Sequence, residues 1–135
     1  MNDSGRSDPL DMVQVNQLTR GLQVLADTQH RVGHSTPETD MVEGTPDGMR
    51  AVFLGLLSEV TELAWHFDWK PWKKPAEFKT EEAAEEFADV LAFLGYVVLY
   101  MGYRGVMTDD LARAYAKKTL LNQQRLAGKI DGYGA

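Results

Sequence analysis

The sequence predicts an all-α fold, a bundle of four to five helices forming one domain over residues 9–128. Three observations lead there. Apolar residues recur at three- and four-residue spacing through four long stretches, and no stretch alternates apolar and polar residues as a half-buried strand would. Glycines, prolines and capping residues fall between the periodic stretches. The 135 residues, 44% hydrophobic and 25% charged with five prolines, suit one folded domain.

Residues 1–8 are polar and read as a flexible tail, and Ser7-Asp8-Pro9 supplies a cap and a proline suited to a first helical turn. Val15, Leu18, Leu22 and Leu25 continue a helix over 9–32, which Gly33 and Ser35-Thr36-Pro37 end. Residues 34–48 hold two prolines, two glycines and four acids without periodicity, which predicts a loop. From Pro46 to Phe67, Met49, Val52, Phe53, Leu56, Leu57, Val60, Leu63 and Ala64 draw one apolar stripe along a second helix. Pro71 and Pro75 stop a helix from crossing the next segment, which crowds three tryptophans and three lysines into residues 65–75 and reads as a structured loop. A third long helix begins near Thr80, acidic at its start and almost wholly apolar from Val90 to Met101. Such a helix is expected to be buried on all sides, at the centre of the bundle or in a subunit interface. Thr108 is expected to cap a last helix running to Gly128, and residues 129–135 read as a second flexible tail.

Composition excludes whole classes of chemistry. With no cysteine, disulfide scaffolds, thiolate zinc sites, iron–sulfur clusters and cysteine nucleophiles drop out, and the cytoplasm is the expected compartment. A net charge of −6 argues against a nucleic-acid polymer as partner, because that grip comes largely from lysine and arginine on phosphates. Nor does any run of about 18 apolar residues predict a membrane span. No phosphate-binding glycine loop occurs, and His30 and His34 lack the glutamate of a zincin helix.

The informative feature is a pair of acidic motifs at equal spacing on consecutive helices, Glu59-Val60-Thr61-Glu62 and Glu86-Phe87-Ala88-Asp89. Residues three apart project from nearly the same helix face, and both pairs border their helix's apolar stripe. If the two helices pack antiparallel through those stripes, four carboxylates converge on a half-buried spot. Their repulsion there needs protons or cations to offset it. Hard divalent cations with oxygen ligands answer that need, and Mg2+ normally shares phosphate oxygens of a substrate. The plainer alternative, acids favoured near helix N-termini, accounts for Glu81, Glu82 and Glu85 but not for Glu59 and Glu62, which lie past the middle of their helix. Glu82 extends the second motif by one turn as a candidate extra ligand.

Two further patterns carry less weight alone. Trp69, Lys70, Trp72 and Lys73 combine flat faces for stacking on a base with ammonium groups for phosphates, so they suit a nucleotide, whereas Trp65 and Phe67 are expected in the core. The alternative is a tryptophan-pinned corner with its lysines in solvent. Tyr115, Lys118, Asn122 and Arg125 share one face of the last helix, either as a phosphate- and sugar-binding row or as an ordinary solvated face.

Taken together and in order, these motifs resemble the all-α nucleoside triphosphate pyrophosphohydrolases, which include MazG proteins and dimeric dUTPases. The resemblance covers residues 46–133. Glu59/Glu62 and Glu86/Asp89 are similar to the family's ExxE and ExxD motifs. Asp68-Trp69-Lys70-Pro71-Trp72-Lys73 is similar to the tryptophan- and lysine-bearing loop of the dimeric dUTPase and dCTPase branch, and Tyr115 through Tyr133 to its C-terminal motif. Ser58 departs from the pattern, standing where MazG-type sequences carry a further glutamate. The base-reading glutamine and asparagine have no clear counterpart, Gln17 and Gln23 being the available residues.

The resemblance implies a MazG/dimeric dUTPase-type bundle with a helix-rich oligomer interface, a homodimer or homotetramer. It implies a Mg2+-dependent diphosphatase that converts a deoxynucleoside triphosphate, foremost dUTP, to the monophosphate and pyrophosphate. Glu59, Glu62, Glu86 and Asp89 would hold two or three Mg2+ ions, with Mn2+ as a substitute, and Glu59 or Glu62 would orient the attacking water. Lys70, Lys118 and Arg125 would neutralise the leaving pyrophosphate, Trp69 or Trp72 would stack on the base, and Asn122 would touch sugar or phosphate. Two alternatives stay open: a sibling diphosphatase for dCTP, dGTP, dATP or a damaged nucleotide, and a helical module that binds a nucleotide without turning it over.

Overall fold

The computed structural model describes residues 11–37, 39–74 and 77–128. The tails expected at 1–8 and 129–135 lie outside these residues, as does the Ser7-Asp8-Pro9 start. Five helices follow in order: α1 (Met12–His34), α2 (Thr39–Glu43), α3 (Pro46–Trp65), α4 (Thr80–Tyr103) and α5 (Thr108–Leu126), with no strand among the described residues.

The boundaries depart from the sequence expectation where local chemistry offers a better end. Helix α1 begins at Met12 rather than Pro9, because Asp11 and Gln14 close a reciprocal capping box, each side chain meeting the other's backbone N–H. It also continues through Gly33 to His34. Thr108 is the first residue of α5 and not its cap; Met107 holds that place, its N–H donating to the Asp110 carboxylate. Gly128, just past the end of α5 with φ of 74°, takes the left-handed conformation that glycine tolerates best. α3 starts as expected, with Thr45 accepting the Gly48 N–H and Pro46 in the first turn.

The segment 34–48 is not all loop. Its α2 is short and is held by tertiary contacts: Val42 is 1% exposed, the Tyr100 hydroxyl donates to the Met41 carbonyl, and the Tyr103 hydroxyl donates to the Val42 carbonyl. Val42 joins Val52, Tyr96 and Tyr100 in the core, flanked by Met41, Met49, Phe93, Val97 and Leu99. Gly48 lets α2 approach α3, since a Cβ there would stand 2.1 Å from the Asp40 carbonyl oxygen. Gly48→Ala must move backbone, so a loss of about 1–3 kcal/mol is expected in denaturant unfolding. An unchanged midpoint would show that α2 yields freely.

α4 is the hub, packed against α1 on one side and α3 on the other, while α5 turns 105° from α4 and lies on α1. Residues early in α3 meet residues late in α4: Val52 shares one buried cluster with Tyr96 and Tyr100, and Gly55 receives the Phe93 ring. The two helices therefore run antiparallel. The expected burial of α4 on all sides is only partly met, with Val90, Tyr96, Val98 and Tyr100 buried but Phe87 and Leu94 exposed. The α3 stripe is likewise half covered, for Phe53, Leu57 and Val60 face outward beside Leu54. Among the described residues, no single helix is long and apolar enough to cross a membrane.

Candidate active site

The antiparallel crossing carries the acidic motif in the second half of α3 onto the acidic motif in the first half of α4. Glu59, Glu62 and Glu86 each offer an oxygen, and these oxygens lie within 4.8 Å of one another. Asp89 stands outside that group and is exposed, yet it is near enough for its charge to act on both Glu59 and Glu86. Glu82 is not brought in; it is exposed, with Lys79 at 4.0 Å.

Glu59 and Glu86 are half-buried, and each has one carboxylate oxygen shut from solvent without a hydrogen-bond partner. Burial pushes the Glu59 carboxyl up from 4.5 to about 7, helped by repulsion from Glu62, a hydrogen bond with Glu86 and the charge of Asp89. Burial also raises Glu86, as does its hydrogen bond with Glu62, against an opposing contribution from Glu59. Without a cation, Glu59 holds its proton up to about pH 7, and ionisation of Glu86 is disfavoured beside it.

The donor set is all oxygen, with no imidazole or thiolate in the group. Oxygens on opposite sides of an octahedral Mg2+ stand about 4.2 Å apart, so carboxylates gathered this closely fit a small hard cation with little rearrangement. Two orphaned buried oxygens are the local sign of such a fit, since an unpaired buried acceptor is costly unless something meets it.

Beyond the last turn of α3 the chain forms a cleft of about 270 Å³ lined by Trp65, Asp68, Trp69, Lys70, Lys73 and Lys74. Asp68 turns the chain with a positive φ of 49°, a conformation aspartate tolerates, and Phe67 meets Phe78 at 5.1 Å to brace the connection to α4. Trp69 and Trp72 meet edge to face at 6.2 Å, and both are largely exposed. The expectation that Trp65 and Phe67 belong to the core is wrong: they are 49% and 61% exposed. Trp65 instead lies under two lysine ammonium groups, and Phe67 packs on Phe78. One signal in the sequence points this way, because Trp65 follows Glu62 by three residues and so shares its helix face.

The polar row on α5 is divided. Tyr115 and Lys118 are exposed, whereas Asn122 and Arg125 are half-buried, the Asn122 side-chain oxygen without a partner. No group of α5 is among those acting on Glu59 or Glu86, and α5 packs on α1. Gln23 is engaged between helices, donating to Asp27 and accepting from Thr108, and Gln17 is exposed on α1.

A protein-family model described as dUTPase matches residues 21–105, most of the chain. The chain belongs to the all-α dUTPase family. The match takes in α2, α3, α4 and the tryptophan–lysine segment, so it spans both acidic motifs and stops before α5. No curated protein and no solved structure matches the chain significantly. Membership places it with dUTPase-type nucleotide hydrolases, enzymes that usually work with a divalent metal, and an acidic cluster of the matching chemistry is present.

Proposed function

We propose that this dUTPase-family chain is a Mg2+-dependent nucleoside triphosphate diphosphatase that hydrolyses dUTP to dUMP and pyrophosphate. The observation that carries the reading is the gathering of Glu59, Glu62 and Glu86, with two buried oxygens that have no partner. These three carboxylates, with Asp89 at the margin, would hold the cation, Mn2+ serving as a substitute. A divalent cation there would supply positive charge to phosphate oxygens and favour ionisation of an attacking water.

The chain's own groups divide the remaining work. Glu62, the exposed member of the group, would accept a hydrogen bond from water entering from solvent. Lys70 and Lys73 offer point charges to phosphates, and Trp69 or Trp72 a flat face to the base. The row Tyr115, Lys118, Asn122 and Arg125 would serve the same ligand from a second copy, since within one chain α5 packs on α1. The outward Phe53, Leu57 and Val60, with Leu94 of α4, provide an apolar surface for a homodimer or homotetramer.

Pyrophosphate release from dUTP, dCTP, dTTP, dATP and dGTP, with Mg2+ and then with a chelator, tests the reading. Chelator-sensitive release greatest with dUTP is the expected result. A maximum with another nucleotide would overturn the base assignment and keep the chemistry. No release from any of them would overturn the reading as an enzyme of these nucleotides.

A further inference from the structure

Lys70 sits among three indole rings. Its ammonium is 3.7 Å from the centroid of Trp65, 5.2 Å from that of Trp69 and 6.0 Å from that of Trp72, and the Lys73 ammonium is 4.9 Å from the Trp65 centroid. Among the described residues, Trp65 is thus the one ring under both cations. As the last residue of α3 it is carried by the same helix as Glu59 and Glu62, and it follows Glu62 by three residues, on nearly the same face. The rings it sits with belong to the loop that begins at its C-terminal end.

The charge balance makes this placement matter. Ammonium groups on a loop that leaves a carboxylate-bearing helix can fold back onto its carboxylates, forming ion pairs that use up both partners. Among the described residues, neither Lys70 nor Lys73 is ion-paired with a carboxylate; an indole face holds each instead. A ring quadrupole attracts an ammonium without neutralising it, so the charge stays available to a phosphate arriving from solvent.

We propose that Trp65 is a positioning residue: its ring holds Lys70 and Lys73 off the carboxylates of α3 and presents them together to the outer phosphates of the bound nucleotide. This rests on the diphosphatase reading for its biological meaning. The cation-positioning step is tested separately, with inorganic pyrophosphate as the probe. Trp65 touches neither reacting atom nor metal in this scheme, and acts through the two lysines.

The test is a double-mutant cycle between Trp65→Leu and Lys70→Ala, with Trp65→Phe as the conservative variant. The readouts are calorimetric binding of pyrophosphate in the presence of Mg2+ and, with the best nucleotide, kcat and KM separately. Trp65→Leu is expected to weaken pyrophosphate binding and raise KM about five- to tenfold, the range of one or two cation–π contacts, with kcat changed by less than about twofold. Trp65→Phe should recover part of the loss. In the Lys70→Ala background Trp65→Leu should cost much less, because the main cation it positions is gone.

Equal costs of Trp65→Leu with and without Lys70 would overturn the proposal, as would pyrophosphate binding unchanged from wild type. A loss confined to kcat, with KM and pyrophosphate binding at their wild-type values, would also overturn it, since the lysines would then hold the phosphates without the ring. Far-ultraviolet circular dichroism of each variant separates these outcomes from unfolding, and a Trp65→Phe variant that folds but shows no recovery would count against the ring. If the wild type hydrolyses no nucleotide, the diphosphatase reading fails while the pyrophosphate cycle still decides the coupling of Trp65 to Lys70.

Discussion

Glu86→Gln is expected to cut turnover by at least about a hundredfold and, at the same time, to raise the melting temperature of the metal-free protein near pH 8. The two effects have one origin. Glu86 brings a carboxylate into a half-buried site where one oxygen has no partner and where Glu59, Glu62 and Asp89 all act on it. Burial disfavours its ionised form, so the metal-free fold carries a repulsion that a neutral amide of the same shape removes. The same amide is a poor ligand for a hard cation, so the function proposed for the cluster is lost with the strain. Pyrophosphate release and a melting curve in chelator, measured on one preparation, decide it. A variant that is inactive but also less stable would point to Glu86 as a structural residue, and one that stays active would remove it from the site.

A second large effect is expected in how pH and Mg2+ interact. In the unfolded chain Glu59 ionises near 4.5, and in the folded metal-free chain burial and its acidic neighbours move this to about 7. Below 4.5 both states hold the proton and Glu59 favours neither. Between those values the unfolded chain releases the proton while the folded chain keeps it, so raising the pH favours unfolding, and the loss is complete once pH passes the folded value. The metal-free protein should therefore melt at a lower temperature at pH 8 than at pH 5.5, with a shallower slope in Glu59→Gln. A divalent cation reverses the sign by giving the ionised carboxylates a partner. The rise in melting temperature on adding Mg2+ should be larger at pH 8 than at pH 5.5, and calorimetric binding near pH 7 should release protons to the buffer. An Mg2+ effect of equal size at both pH values would separate cation binding from these carboxylates.

Much of this molecule is legible in its residue order, and particular residues show why. The spacing of Val52, Leu56 and Leu63 announces α3, and the acidic opening and apolar run of residues 80–101 announce α4, because both helices are long enough for the 3.6-residue period to repeat several times. The motifs Glu59/Glu62 and Glu86/Asp89 are local, so their helix faces follow from counting. The five residues of α2 are too few to show a period; what makes them helical is distant, the Tyr100 and Tyr103 hydroxyls and the cleared space at Gly48. The exposure of Trp65 escapes the sequence for a related reason: periodicity gives a residue's angle around its helix but not which distant groups come to cover it. The ring is half exposed, and lysines from the following loop take it up.

By itself, then, the sequence determined the helical class, the long helices and the kinds of group that could bind a cation and a phosphate, since each of these is written within a few turns of chain. Only the tertiary structure decided which of those groups meet. The antiparallel crossing of α3 and α4 brings Glu59, Glu62 and Glu86 within 4.8 Å and leaves Asp89 at the margin and Glu82 outside, while α5 packs on α1. The physical reason is that a helix face is set by bonds between near neighbours, whereas the distance between two faces is set by the packing of Val52, Gly55, Phe93 and Tyr96, residues far apart in sequence whose contacts no local pattern records.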